Sequence, residues 1–376
     1  MFHKAAHKPT TGPSSPKSGS NGISAVVTEA APCRKSLQVR VGQDAIEPVR
    51  AAVLAEFQKT AALPGFRKGK APIELVAREY ANPIHEELLR RLTKRAFEQV
   101  TTEHDLRPVG PFELTVADFN ERDGLALEAA VEVEPSFPLG SYKGIPLTQE
   151  PVELTPGDVD KALAALQESA AQLGPTGEGG AKERKLPALD DELAKDLGFG
   201  GLSQLRAHVE AKLLEQRRTA HAQRMESNLC EELLKRHAFE VPPGLVSRQA
   251  DRLTRDFKVR LLLAGTPEEQ LNEEVAKFTA QLRTSAERHV KLAFILERIA
   301  THESIAVTQD ELVGRLWQLA QRWKKDPAEV RKILDAQQLW PSVASAIRQE
   351  KTITFLMSAA AMENGSASGG VPQSTV

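Results

Sequence analysis

Cysteine is nearly absent: Cys33 and Cys230 are the two in 376 residues and lie far apart, so neither a disulfide framework nor a thiolate metal cluster can be built. A reducing compartment, the cytoplasm, suits such a chain. Aromatic residues make up 5%, which leaves core packing to leucine, alanine and valine and favours helices. Four methionines are too few for a Met-rich binding surface, although Met225, Met357 and Met362 are placed to offer adaptable contacts. Residues 1–22, rich in Ser, Pro, Gly, Lys and His, have no apolar segment and read as neither a secretory signal nor a membrane anchor. A disordered tail is expected there and again over residues 364–376.

Signatures of chemistry are missing as well. There is no Gly-x-x-x-x-Gly-Lys-Ser/Thr, and Gly198-Phe-Gly-Gly201 follows a short acidic helix, so it reads as a helix stop before an N-cap at Ser203. ATP-driven cycling is not expected. The nine histidines include no His-Glu-x-x-His pair, and His85 beside Glu86 and Glu87 reads as a solvated helix face. No nucleophile elbow or Cys/His pair appears, and Asp190 and Asp191 suit a helix start better than acid/base work. The expectation is no catalytic residue, no cofactor and no metal.

With 41% hydrophobic and 27% charged residues, the chain is long enough for two or three domains with real cores. Its net charge is only −2 and its pI near 6.5, which argues against a dedicated nucleic-acid binder. One stretch departs from that balance. Between Lys59 and Lys70 there are four cations and no acid, ending in Gly65-Phe-Arg-Lys-Gly-Lys70, with Pro64 and Pro72 on either side. A basic Gly/Pro turn is commonly just solvated. Phe66 sets this one apart, because a large apolar ring between glycines suits an anchor that fills a partner's pocket while the flanking Arg67, Lys68 and Lys70 steer it. A partner rich in phosphate or carboxylate follows.

The apolar pattern around the loop has two periods. Ile23–Val27, Leu37–Val41 and Leu125–Val133 alternate as strands, the last with Glu128 and Glu132 directed away from the apolar face. Ile46, Val49, Val53 and Phe57, and then Leu75, Tyr80, Leu88, Leu92, Phe97 and Val100, fall at helical spacing, with Pro72 at a helix start. An antiparallel sheet with helices on one side is expected over 23–134. Residues 135–155 read as an extended connector. Helix starts at Thr155, Thr266, Thr308 and Asp326 outline an all-α multi-helix region over 156–363. Within it Val246, Ala250, Leu253, Phe257 and Leu261 form one stripe, and Leu271, Val275, Phe278 and Leu282 another. Both suit a helical core.

The loop Gly65-Phe-Arg-Lys-Gly-Lys70 resembles the signature of trigger factor, a family of ribosome-associated bacterial chaperones, and the similar order of elements runs from about Ile23 to Met362. The resemblance implies an α+β ribosome-binding module over 23–134 followed by the helical chaperone domain. It also implies ribosome contact, to protein and RNA near the tunnel exit, through Phe66, Arg67 and Lys68, with Gly65, Gly69 and Lys70 as the loop's frame. Further partners implied are unfolded nascent polypeptides and, off the ribosome, a weak homodimer; a membrane is not among them. One part of the family pattern is absent. Trigger factors usually carry an FKBP-like prolyl isomerase domain of roughly one hundred residues, and here a Gly-rich turn over 172–184 stands in its place. The expected function is therefore ATP-independent holding of nascent chains, assisting folding and export. The alternatives are a peptidyl-prolyl isomerase in keeping with the family label, or a holdase that works without the ribosome.

Overall fold

The computed structural model describes residues 17–18, 22–120, 124–149, 152–169, 172–174, 183–185 and 187–364. The tails expected over 1–22 and 364–376, and the turn expected over 172–184, fall largely outside these. The chain runs β1 (Lys17–Ser18), β2 (Ile23–Ala31), β3 (Arg34–Val41), α1 (Gln43–Thr60), α2 (Ile73–Glu79), α3 (Ala81–Glu103), β4 (Glu113–Asn120), β5 (Gly124–Glu132) and β6 (Pro146–Gln149). It continues through α4 (Pro156–Ser169), β7 (Gln172–Gly174), β8 (Glu183–Lys185), α5 (Asp191–Asp196), α6 (Leu202–Arg236) and α7 (Pro243–Leu263). Last come a 3-10 turn (Glu268–Gln270), α8 (Leu271–His302), α9 (Gln309–Trp323), α10 (Pro327–Ala336), α11 (Trp340–Ser358) and β9 (Ala361–Asn364). Two compact units result, one from Met1–Pro138 with Ala238–Phe294, the other from Leu139–His237 with Ile295–Val376.

In the first unit an antiparallel sheet has the order β1-β2-β3-β5-β4. Its registers, Leu37 opposite Ala129, Val39 opposite Leu127 and Val41 opposite Leu125, put one apolar row on one face. That face is sealed by Ala45 and Ile46 of α1 and by Leu88, Leu92, Ala96, Phe97 and Val100 of α3. The expected sheet with helices on one side is therefore present. At a fully buried position such as Leu37, truncation to alanine should cost about 2–5 kcal/mol.

Glu132 departs from its expected solvent-facing place. It is 9% exposed, because the start of α7 covers it: the Gly244 N–H donates to Glu132 Oε1 at 2.5 Å, and Arg248 Nη2 lies 3.8 Å from Oε2. A carboxylate at a helix N-terminus satisfies an orphan amide and the helix dipole together. A side chain on residue 244 would place its Cβ 2.6 Å from Glu132 Oε2 and force the carboxylate to shift, so glycine leaves room for this close approach. Nearby, the Phe137 and Phe239 rings stack at 3.9 Å. Period-2 patterning reports only which side of a strand a residue takes, and a helix arriving from far along the chain is invisible to it.

The second unit collects short elements around long helices. The expected connector contains a strand, β6, paired in parallel with β9 from residue Ala361 onward. Ile145 and Leu147 are buried there. Tyr142 donates its hydroxyl to Glu303 Oε1 at 2.6 Å, and Lys143 pairs with the same carboxylate at 2.7 Å. Thr308 and Glu311 form the complete capping box, and Asp326 caps α10. Thr266, which belongs to the first unit, instead precedes the 3-10 turn. Ser203 lies inside α6 rather than at its cap: Gly201 takes that place, and Asp191 Oδ1 accepts from the Leu202 N–H at 2.7 Å. Asp190 caps α5. Gly174 pairs with Glu183 in the β7–β8 ladder, so the stretch between them is far too short for a domain of the usual ~50 residues or more.

Candidate functional site

The loop that leaves α1 is closed at a narrow neck. Ala61 and Ala71 are buried with Val53, Val76 and Ile84, and Gln58 Nε2 donates to the Ala71 carbonyl at 2.7 Å. Above the neck come two β-turns in direct succession. The Phe66 N–H donates to the Leu63 carbonyl at 3.1 Å and the Lys70 N–H to the Arg67 carbonyl at 2.9 Å. Each turn has glycine at its third position, Gly65 with φ +86° and Gly69 with φ +79°, where an L side chain would be strained. Nothing lies within 4 Å of a Cβ built on Gly65, so its constraint is conformational rather than steric. Because the turns abut, Phe66 ends one and Arg67 begins the next.

This geometry turns the tip outward. Phe66 is 43% exposed, and Arg67, Lys68 and Lys70 are exposed too. None of these cations, nor Lys59, makes an ion pair among the described residues. The helices behind the loop differ: Arg91 bridges Glu56 of α1 and Glu87 of α3 at 2.5 and 2.6 Å, and Arg90 joins Glu87 at 2.7 Å. Hydrogen bonds from Arg90 and Arg91 pull the Glu87 carboxyl down to about 2. His85, expected on a solvated face, is exposed and meets the Phe119 ring edge-on at 5.4 Å. Ile73, just beyond Pro72, is another apolar side chain left open at 47%.

A second exposed surface lies on the α7–α8 hairpin. Its helices meet through Phe257 and Phe278, with ring centres 5.3 Å apart, and through Lys258 and Asn272 at 3.0 Å. At the end of α7 the Thr266 N–H reaches the Leu261 carbonyl and the Gly265 N–H the Leu262 carbonyl, with Gly265 at φ +88°, a Schellman stop. Of the expected stripes, Val246, Leu271 and Val275 are buried, whereas Leu253, Phe257, Leu261 and Leu282 are half-buried. Leu263 is 83% exposed, and Val259, Leu262 and Phe278 are open with it. Stripe reading missed Val259, Leu262 and Leu263. The signal was present in Leu261-Leu-Leu263, since three consecutive leucines cannot share one helical face. Met225 is buried and so cannot serve as a surface contact, while Met362 is exposed.

Among the described residues no cluster of His, Cys, Asp and Glu could hold a metal ion, and no helix is long and apolar enough to cross a membrane. Both thiols are free, and burial raises each, Cys230 to about 11.

Comparison with known proteins agrees with this arrangement. The chain is 24% identical to the trigger factor of Anaeromyxobacter dehalogenans over 424 aligned positions, covering 90% of this chain and 99% of that one. It is 25% identical to the trigger factor of Carboxydothermus hydrogenoformans, covering 86% and 96%. An alignment of 424 positions exceeds the 376 residues of the chain, so the first relative carries residues that this chain lacks. A solved trigger factor chaperone, described for promiscuous substrate recognition in folding and assembly activities, shares the fold with a TM-score of 0.50 at 20% identity, covering 88% of this chain and 99% of that one. The family's bacterial trigger factor model matches residues 23–166 and its C-terminal model matches residues 201–358. With β2 to β5, the loop and the long helices α6 to α11 inside those spans, the chain belongs to the trigger factor family of ribosome-associated chaperones, in a form without the FKBP-like domain.

Proposed function

We propose that Phe66, Arg67 and Lys68 fasten this chaperone to the ribosome beside the nascent-chain exit, with Gly65, Gly69 and Lys70 holding the tip in shape. The supporting observation is the exposed ring set among exposed cations that form no ion pair among the described residues. Phosphate oxygens and carboxylates at the tunnel rim are the chemical complement of such a tip. Emerging polypeptide would then be held by weak apolar contacts, to which Leu262, Leu263, Val259 and Phe278 contribute, and released as its own core forms. No nucleotide drives this cycle, the work is done in the cytoplasm, and off the ribosome the chain forms a weak homodimer. The functional division follows the order of the chain, with docking in 23–134, a connector over 135–155 and chaperoning in 156–363.

Ribosome co-sedimentation at physiological salt tests the docking assignment: a Phe66→Ala, Arg67→Ala, Lys68→Ala variant should remain in the supernatant, and pelleting equal to the parent overturns it. The isomerase reading has its own measurement. Without the FKBP-like domain, cis/trans exchange of a short proline peptide should proceed at its uncatalysed rate, and an acceleration abolished by a substitution in this chain would restore that reading.

A further inference from the structure

We propose that the outer edge of β4 is a docking strand for extended, basic segments of unfolded polypeptide, which pair with it as an added strand of the sheet. The inference rests on the reading that this chain holds unfolded clients, and it names one place and one chemistry for the holding.

β4 ends the sheet and pairs only with β5. Among the described residues no backbone–backbone hydrogen bond is made on the other side of Glu113–Phe119, so this stretch presents a row of N–H and C=O groups at the edge of the sheet. Such rows recruit another strand unless they are covered or blunted, usually by lysine, proline or a bulge. β4 has neither lysine nor proline, and its irregularity is confined to Leu114–Val116. Seven of its eight residues are exposed, including Leu114 at 47% and Val116 at 44%. An arriving strand would gain both backbone hydrogen bonds and apolar side-chain neighbours.

Charge selects the occupant. β4 and β5 contain Glu113, Asp118, Glu128 and Glu132 and no lysine or arginine. Glu132 is covered by α7 and Glu113 pairs with Arg34 at 2.6 Å. On the outer face, Val116 stands opposite Glu128, and Asp118 lies two residues further along opposite Ala126. Asp118 has no ion pair among the described residues. A second copy of β4 would bring its own carboxylates and no cation to meet them, whereas a segment with Lys or Arg beside its apolar residues finds complementary charge.

The test uses the full chain and three synthetic probes: a Thr/Val peptide flanked by lysines, the same peptide flanked by glutamates, and the lysine form N-methylated at alternate residues. Fluorescence anisotropy reads affinity, and hydrogen exchange reads the amides of β4. The lysine probe should bind and slow exchange in β4, with the glutamate probe roughly tenfold weaker and the N-methylated probe inactive. A Val116→Lys, Asp118→Lys variant should reverse the charge preference, and the milder Asp118→Asn should weaken it while thermal melting stays unchanged. Equal binding of the N-methylated probe, protection confined to the α7–α8 hairpin, or β4 protection that appears with protein concentration and no peptide each overturns the proposal. Aggregation of an unfolded client is measured in parallel. Suppression without β4 protection sinks this inference alone, and absence of both sinks the client-holding reading as well.

Discussion

The tip of the Gly65–Lys70 loop and the tip of the α7–α8 hairpin belong to one compact unit, and both expose apolar side chains, yet they are built for different partners. At the loop one ring is surrounded by cations that form no ion pair among the described residues, held by two successive turns above a closed neck. At the hairpin several aliphatic side chains are open together, Leu263 most of all. One anchor with steering charge suits a fixed surface met repeatedly in one orientation. An aliphatic patch without defined polar partners suits many sequences held weakly. Exposure alone does not tell the two apart; the charge around it does.

That contrast can be broken by substitution. The triple alanine change at Phe66, Arg67 and Lys68 should weaken ribosome binding roughly 100-fold while suppression of aggregation of a free unfolded client stays at the parent level; a shared loss would make the two tips one surface. Changing Leu262 and Leu263 to serine should do the reverse, raising several-fold the amount of chaperone needed to suppress aggregation. Because both positions are exposed, folding stability should move by no more than about 0.5 kcal/mol in a urea melt.

Smaller effects sharpen the comparison. Gly244→Ala attacks the root of the hairpin: the new Cβ must displace the Glu132 carboxylate from its amide, costing about 1–2 kcal/mol with ribosome pelleting unchanged. Lys68→Ala alone should lower the slope of log binding against log salt by about one, and an unchanged slope would remove Lys68 from any phosphate contact. Acid acts on the helices behind the loop. Since Arg90 and Arg91 hold Glu87 down to about 2 from 4.5, the stability it contributes is present above pH 4.5 and disappears as pH falls through about 2. Melting temperatures of the parent and of Arg91→Ala should therefore differ at pH 6 and converge near pH 2.

How much of this was legible in the sequence depended on whether its cause was local. Leu37, Val39, Leu125 and Leu127 announced the sheet, and Ile46, Leu88 and Leu92 the helices over it, because alternation and helical spacing are set within a few residues. Phe66 and its cations were legible for the same reason, since Pro64-Gly65 and Lys68-Gly69 encode their turns directly. What stayed hidden came from distant chain. Glu132 is buried by a helix more than one hundred positions away, β6 exists because β9 pairs with it, and the cap of α6 is supplied from α5 rather than by Ser203. The hairpin tip fell between these cases: its leucine run was readable, but which leucine escapes burial depends on how α8 meets α7.

The ladder joining Gly174 to Glu183 also bears on how this architecture changes over time. Chain ends held side by side are the condition under which a module with neighbouring termini can be spliced in or cut out without rewiring any core. A catalytic domain grafted between β7 and β8 should therefore leave both tips at work, making this chain a natural acceptor for chimaeras that pair holding with a chosen enzymatic step.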